Sequence, residues 1–335
     1  MDRKEAGFVG LGLMGAPMAG NLLAAGWAVR AWNRSAAALE KFEALGGVAV
    51  AHIEELRDAP VIIFMLPDLS YIEDAAAPLL AAWSRKPPAA GTSVVVMSSV
   101  SPAAVKEFGA RVDRASGGNT VVVDAPVSGG TAGAAAGTLA IMAGASEEDF
   151  QRLLPLFSAL GGTVRRLGPL GSGSLAKACN QLIVGTTTAA LAEAAELAER
   201  SGLDVDALYG VLAGGLAGSR VLEIVGPRLA AKDYEPTGPA KFMHKDLSFV
   251  LESARAVDAA VPMAAAGADL YAELTRQGLG DRDLAVVRQA IANLSNAAGS
   301  GTTARTTAGT SGGTATGMAA GMAAGTAAPI TANTK

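Results

Sequence analysis

The chain has 335 residues, half of them apolar, 17% charged and 4% aromatic, with a net charge of −4; this balance supplies a sizeable core and excludes disorder throughout. No basic excess is available to neutralise phosphates, which argues against a nucleic-acid partner. One cysteine and two histidines exclude a disulfide framework and a thiolate metal cluster, so no metal is expected and the cytoplasm is the compartment that fits. An apolar run begins at Gly7, leaving no room for a secretory leader ahead of it, and the most apolar long stretch, Ala178 to Ala192, carries Gln181 and is shorter than the ~20 residues of a membrane span. No export signal and no membrane helix are expected.

In chain order, the first 167 residues alternate short β-branched or apolar runs with helical patterns. The runs are Phe8 to Leu11, Ala28 to Trp32, Val61 to Leu66, Ser93 to Met97, Thr120 to Val123, Leu139 to Met142 and Thr163 to Leu167. That rhythm predicts an α/β fold with a parallel sheet. Gly26 and Gly46-Gly47 fall where helices must stop and the backbone must turn to positive φ. After Gly168-Pro169 the pattern becomes helical, beginning with Leu175 to Arg200, with almost no strand-like runs before Leu294. The chain therefore divides into a parallel-sheet domain over 1–167 and an all-helical domain over 168–295. The Thr/Ala/Gly stretch over 296–335 lacks bulky apolar residues and is expected to be disordered.

Gly10-Leu11-Gly12-Leu13-Met14-Gly15 follows the first run directly and opens a helical pattern from Met14 to Ala25. In that context each glycine has its own physical reason. Gly10 makes the tight turn, Gly12 lets backbone approach a pyrophosphate, and Gly15 lets the helix pack on the strand, with the helix N-terminus facing the phosphates. Without a ligand the same glycines would be a plain turn. At the end of the second run an NAD site places an acidic residue against the ribose 2′-hydroxyl; here stand Asn33, Arg34 and Ser35. A neutral Asn33 tolerates a 2′-phosphate, Arg34 can pair with it, and Ser35 can donate to it while capping the next helix. NADP is the expected cofactor, with NAD the alternative; the competing reading makes Arg34 a solvated surface side chain.

Three further segments, Asp124-Ala-Pro-Val-Ser-Gly-Gly130, Gly171-Ser-Gly-Ser-Leu-Ala-Lys-Ala-Cys-Asn-Gln181 and Lys245-Asp-Leu247, stand with the glycine loop in an order that resembles the β-hydroxyacid dehydrogenase family. That family includes 3-hydroxyisobutyrate dehydrogenase, tartronate semialdehyde reductase and the glyoxylate/succinic semialdehyde reductases. The resemblance covers Gly7 to about Leu294. It implies a Rossmann-type dinucleotide domain followed by a helical domain, an NAD(P)-dependent oxidoreductase, and a small 3-hydroxy acid or its semialdehyde as substrate. It also implies that Ser128, Gly129 and Gly130 hold the substrate carboxylate, that Lys177 is the catalytic acid/base, and that Asn180 and Gln181 hydrogen-bond the substrate. Asp246 would orient active-site groups, Lys245 would touch the cofactor, Ser99 would lie near the nicotinamide ribose, and Met65, Leu66 and Pro67 would line the dinucleotide through backbone.

The chemistry of these residues is compatible. A serine with successive glycine N–H groups forms an anion-receiving concavity, although on this segment alone a simple turn is the alternative. Lysine at a helix start opposes the helix dipole, so Lys177 is either a snorkelling side chain or a group tuned toward neutrality for proton transfer. Relatives commonly carry an aspartate where Val96 stands, and no role is assigned there. An imine reductase of the same architecture is the nearest alternative, which Lys177 argues against. A decarboxylating 6-phosphogluconate-type enzyme is disfavoured by the short helical domain, and a non-catalytic dinucleotide-binding scaffold is the alternative from a different class. The apolar surface of the long Leu175 to Arg200 helix predicts a homodimer or homotetramer.

Overall fold

A computed structural model describes residues 4–307, with side-chain surroundings to 297. The order is β1 (Glu5–Val9), α1 (Gly15–Ala24), β2 (Ala28–Trp32), α2 (Ala36–Glu43), β3 (Val48–Ala49), β4 (Val61–Phe64), α3 (Leu69–Arg85), β5 (Thr92–Val96), α4 (Pro102–Ser116), β6 (Thr120–Asp124), β7 (Val127–Ser128), α5 (Gly130–Ala136), β8 (Ala140–Gly144), α6 (Glu147–Ser158) and β9 (Thr163–Gly168). Helices follow: α7 (Ser172–Arg200), α8 (Val205–Ala213), α9 (Arg220–Ala231), α10 (Lys241–Arg255), α11 (Pro262–Arg276) and α12 (Val287–Thr307).

Strands run in the order β3-β2-β1-β4-β5-β6-β8-β7, with β9 beside β8. The first six in space are parallel, and the order reverses direction between β1 and β4, the place where a doubly wound sheet opens a crevice at its carboxyl edge. Alternation along each central strand sends side chains to opposite faces: Phe8, Ile63 and Val95 into one core, Val9, Ile62 and Phe64 into the other. A third core, around Leu191, Leu229, Leu247, Tyr271 and Val286, fills the helical region.

The sheet departs from the wholly parallel expectation at its far edge. β8 runs antiparallel to both β6 and β7, because a chain returning through the short α5 reaches the edge from the opposite direction. β3 and β7, two residues each, are too short to show a period.

Residues 4–292 belong to one compact unit. Beyond it, α12 continues to Thr307, so the segment expected to be structureless from Asn296 begins as helix; once a helix is nucleated by residues before it, each further turn costs little. The rest of that expectation, 308–335, lies outside the described residues. Among the described residues no helix is long and apolar enough to cross a membrane, and no group of three or more His, Cys, Asp or Glu could hold a metal ion.

Candidate active site

The glycine loop is built by close approach. Gly10 has φ +103°, and a Cβ on it would lie 2.3 Å from the Met65 carbonyl oxygen. A Cβ on Gly15 would lie 1.9 Å from the Gly10 carbonyl oxygen, so α1 can begin directly on the turn only with glycine there. Gly12 faces open space, with nothing within 4 Å of a Cβ position. Asn33, at the end of β2, accepts from Leu11 N–H at 2.9 Å and donates to the Ser35 carbonyl at 3.2 Å. Sequence reasoning gave Asn33 only the absence of charge; its amide also fastens the loop. Ser35 sits at the N-cap of α2 but its exposed side chain makes no capping bond, so the expected cap is absent. Arg34 is exposed. Leu13, exposed, lines a groove of about 560 Å³ with Gly12, Pro17, Ser35, Lys41 and Leu45.

At the carboxyl ends of β4 and β5, Met65 N–H donates to the Val9 carbonyl at 2.9 Å and Leu66 N–H donates to Ser98 Oγ at 2.9 Å. Lys245 reaches this edge from α10: its Nζ donates to the carbonyls of Ser99 at 2.8 Å and Pro67 at 3.2 Å, and lies 3.2 Å from Asp246 Oδ1. The Phe249 ring, 5.2 Å away, covers it.

A polar chain continues across the helices. Asp246, 4% exposed, accepts through Oδ2 from Gln181 Nε2 at 2.7 Å, and Gln181 Oε1 accepts from Asn180 Nδ2 at 2.9 Å. Gln181 thus spends its amide linking Asn180 to Asp246. Lys177, one turn earlier on α7, is half-buried and makes no hydrogen bond or ion pair with the described residues. Burial lowers its pKa to about 8; Asp246 opposes that shift and Lys245 adds to it. An amine with that value exchanges a proton readily near neutrality.

Ser128 ends β7, half-buried, and Gly129 and Gly130 follow with φ +140° and +62°, both exposed. α5 starts there and is tied to α1 by Asn21, whose Nδ2 donates to the Ala134 carbonyl at 2.7 Å. α7 packs on β6, β7 and β8, which puts its first turns beside this corner. Sequence reasoning gave no role to Asn21, Ser98 or Asp124; of these, Asp124 left a signal, as the first residue of a segment shared with the family and as a lone carboxylate ending the run Val121-Val-Val.

A family model for the NAD binding domain of 6-phosphogluconate dehydrogenase matches residues 5–168, and one for the NAD-binding region of NADP-dependent 3-hydroxyisobutyrate dehydrogenase matches 171–291. The chain is 35% identical to a 2-hydroxy-3-oxopropionate reductase of Escherichia coli, over 87% of this chain and 98% of the relative. The chain belongs to the β-hydroxyacid dehydrogenase family. An NAD-dependent L-serine dehydrogenase of Pseudomonas aeruginosa is 34% identical over 85% of this chain and 97% of the relative. The solved 3-hydroxyisobutyrate dehydrogenase of Mycobacterium tuberculosis with L-serine superposes with a TM-score of 0.75 at 30% identity, covering 86% and 99% of the two chains.

As a β-hydroxyacid dehydrogenase the chain is an NAD(P)-dependent oxidoreductase, and its residues fit a dinucleotide. The compressed Gly10 and Gly15, the open Gly12 and the α1 N-terminus form the cradle a pyrophosphate needs.

Proposed function

We propose that this chain transfers a hydride between NADP(H) and a small 3-hydroxy acid or its semialdehyde, with Lys177 moving the hydroxyl proton. The observation that carries the reading is Lys177 itself, a half-buried amine without a partner among the described residues, whose pKa falls to about 8. A lysine kept for structure alone would be paired or solvated.

When bound, the nicotinamide supplies or accepts the hydride at its C4. Lys177 Nζ donates a proton to the carbonyl oxygen in reduction and takes it from the hydroxyl in oxidation. Ser128 Oγ and the N–H groups of Gly129 and Gly130 receive the carboxylate. Asn180 orients the reacting oxygen, while Gln181 and Asp246 hold Asn180 and set the charge beside Lys177. Lys245 and Ser99 border the nicotinamide end, with Met65, Leu66 and Pro67 along the dinucleotide. The glycine loop, Leu11, Leu13 and Met14 included, binds the pyrophosphate, and Asn33, Arg34 and Ser35 meet the adenosine ribose. The absence of an acidic residue at that ribose and the uncommitted Arg34 support NADP over NAD.

2-Hydroxy-3-oxopropionate, L-serine and 3-hydroxyisobutyrate, named by the relatives, share a carboxylate two bonds from the reacting carbon and a small group between them. We assign the same class here. The sheet half to residue 167 would hold the cofactor. The helical half over 168–295 would complete the site and carry self-association in a cytoplasmic homodimer or homotetramer, for which Ile183 and Val211, 63% and 77% exposed, offer apolar surface. A panel of small semialdehydes assayed with NADPH and NADH tests the reading: turnover with at least one and a clear preference for NADPH is expected. NADPH binding without turnover on any member would replace it by the scaffold reading.

A further inference from the structure

α7, which carries Lys177, begins without help from its own sequence: its N-cap is Gly171, φ +94°, with no side-chain capping bond. The N–H groups at a helix start need acceptors when they are buried. Here they come from a strand. Asp124, at the end of β6 and 0% exposed, accepts from Gly171 N–H through Oδ1 at 2.8 Å and from Ser174 N–H through Oδ2 at 2.6 Å. With both oxygens accepting, the pattern is that of an ionised carboxylate. Burial pushes its pKa up, and the two N–H groups offset only part of that rise.

The surroundings leave this carboxylate no slack. A Cβ on Gly144 would lie 2.1 Å from Asp124 Oδ1, and one on Gly173 would lie 2.2 Å from the Met142 carbonyl oxygen and 2.6 Å from that of Asp124. The first turn of α7 is therefore seated on β6 and β8 at backbone contact. Burying a carboxylate is costly, and an N-cap serine or asparagine on the helix itself would serve the same N–H groups more cheaply. What the strand carboxylate adds is a fixed relation between helix and sheet. Lys177 lies three residues beyond Ser174, one turn above the anchored N–H.

We infer that Asp124 is a positioning residue: its carboxylate fixes the start of α7 against the β6–β8 edge and so sets the place of Lys177. The inference rests on the proton-transfer role proposed for that lysine. Asp246 and Lys245, from α10, are the charged groups acting on Lys177, and both stay in place in the test.

The experiment uses Asp124→Asn in the full-length protein, with Asp124→Ser as a second, smaller variant should the first fail to fold, and Lys177→Met in parallel. An asparagine must turn its NH2 toward one of the two N–H donors, so one bond is lost without a change of volume. Three quantities are read: the pH midpoint of Lys177 labelling by an amine-reactive reagent, located by peptide mass spectrometry on ligand-free protein; the NADPH dissociation constant; and kcat and KM with tartronate semialdehyde. The midpoint, near 8 in the wild type, should rise by roughly 0.5 unit or more as the displaced amine loses part of the burial that lowers it. NADPH affinity should stay within about twofold, because the dinucleotide loop lies at β1, while kcat falls roughly tenfold or more from misplacement of the lysine and KM changes little. A folded variant with an unchanged midpoint and kcat within about twofold of wild type, even with a lowered Tm, would overturn the inference and leave Asp124 a purely structural cap. Full activity in Lys177→Met would instead overturn the proton-transfer reading, and the labelling midpoint would still report whether Asp124 governs that side chain.

Discussion

The side-chain oxygen of Asn33 accepts a hydrogen bond of 2.9 Å from the backbone N–H of Leu11, inside the glycine turn. One residue at the end of β2 thus holds the glycine loop and, through its bond to the Ser35 carbonyl, the entry to α2. Asn33→Ala should loosen the loop for either cofactor. A lost neutral hydrogen bond of about 0.5–1.5 kcal/mol corresponds to a roughly 2- to 12-fold rise in the dissociation constants of NADH and NADPH alike. Cofactor fluorescence titration measures both; a rise confined to NADPH would contradict this role.

Arg34 gives the opposite pattern. It is exposed and lies next to the residue that pins the loop, so its removal should leave the loop intact. Arg34→Ala is expected to raise KM for NADPH by about 10- to 100-fold, the worth of a charge-assisted pair, with little change for NADH. Equal use of both cofactors by the wild type would remove the basis of this prediction.

Asp246 acts on Lys177 through charge. Its carboxylate raises the lysine's pKa against the lowering by burial. Asp246→Asn should therefore move that pKa below about 8, and the reduction, for which we propose the protonated amine as proton donor, should lose activity at lower pH than in the wild type. A displacement of the alkaline limb of kcat by roughly 0.5–1 unit toward acid is expected. A displacement toward alkali would have the wrong sign.

The central strands were legible because each is a short β-branched or apolar run closed by a glycine, a proline or a polar residue: β2 falls on the expected Ala28–Trp32, and β5 and β6 within one residue of expectation. Gly26 and Gly46 take the positive φ their positions foretold, while Gly47 does not; a Cβ on it would meet the Phe42 ring at 2.2 Å. Two things could not be read from a linear pattern. One is the antiparallel edge, since β7 has only two residues. The other is long-range polar pairing: Asn21 with Ala134, Gln181 with Asp246, and Asp124 with Ser174 join residues 113, 65 and 50 positions apart, and no local spacing announces such partners. The glycine loop, by contrast, is a local device, and the sequence pattern located its parts before the geometry explained them.

Lys177→Met separates chemistry from stability, because the same burial that tunes the amine also costs the fold. The unfolded value is 10.5 and the folded value about 8. Between them the unfolded chain binds a proton that the native chain does not, so wild-type stability from this group rises with pH across that window; below it the native state carries the full cost of a charged, half-buried amine. Methionine keeps the stem and removes the charge. The variant should therefore be more stable than wild type at pH 7, by about 1–3 kcal/mol after allowance for partial exposure, with the gain shrinking above pH 8 and vanishing near 10.5. Its kcat should fall by roughly 10²- to 10⁴-fold with NADPH affinity preserved, whereas Asn180→Ala, which removes one orienting hydrogen bond and leaves the proton path, should be milder. Denaturant melts at pH 7 and pH 10 and turnover on the same preparations measure all of this. A Met variant that is both less stable than wild type at pH 7 and active within threefold of it would make Lys177 a structural lysine.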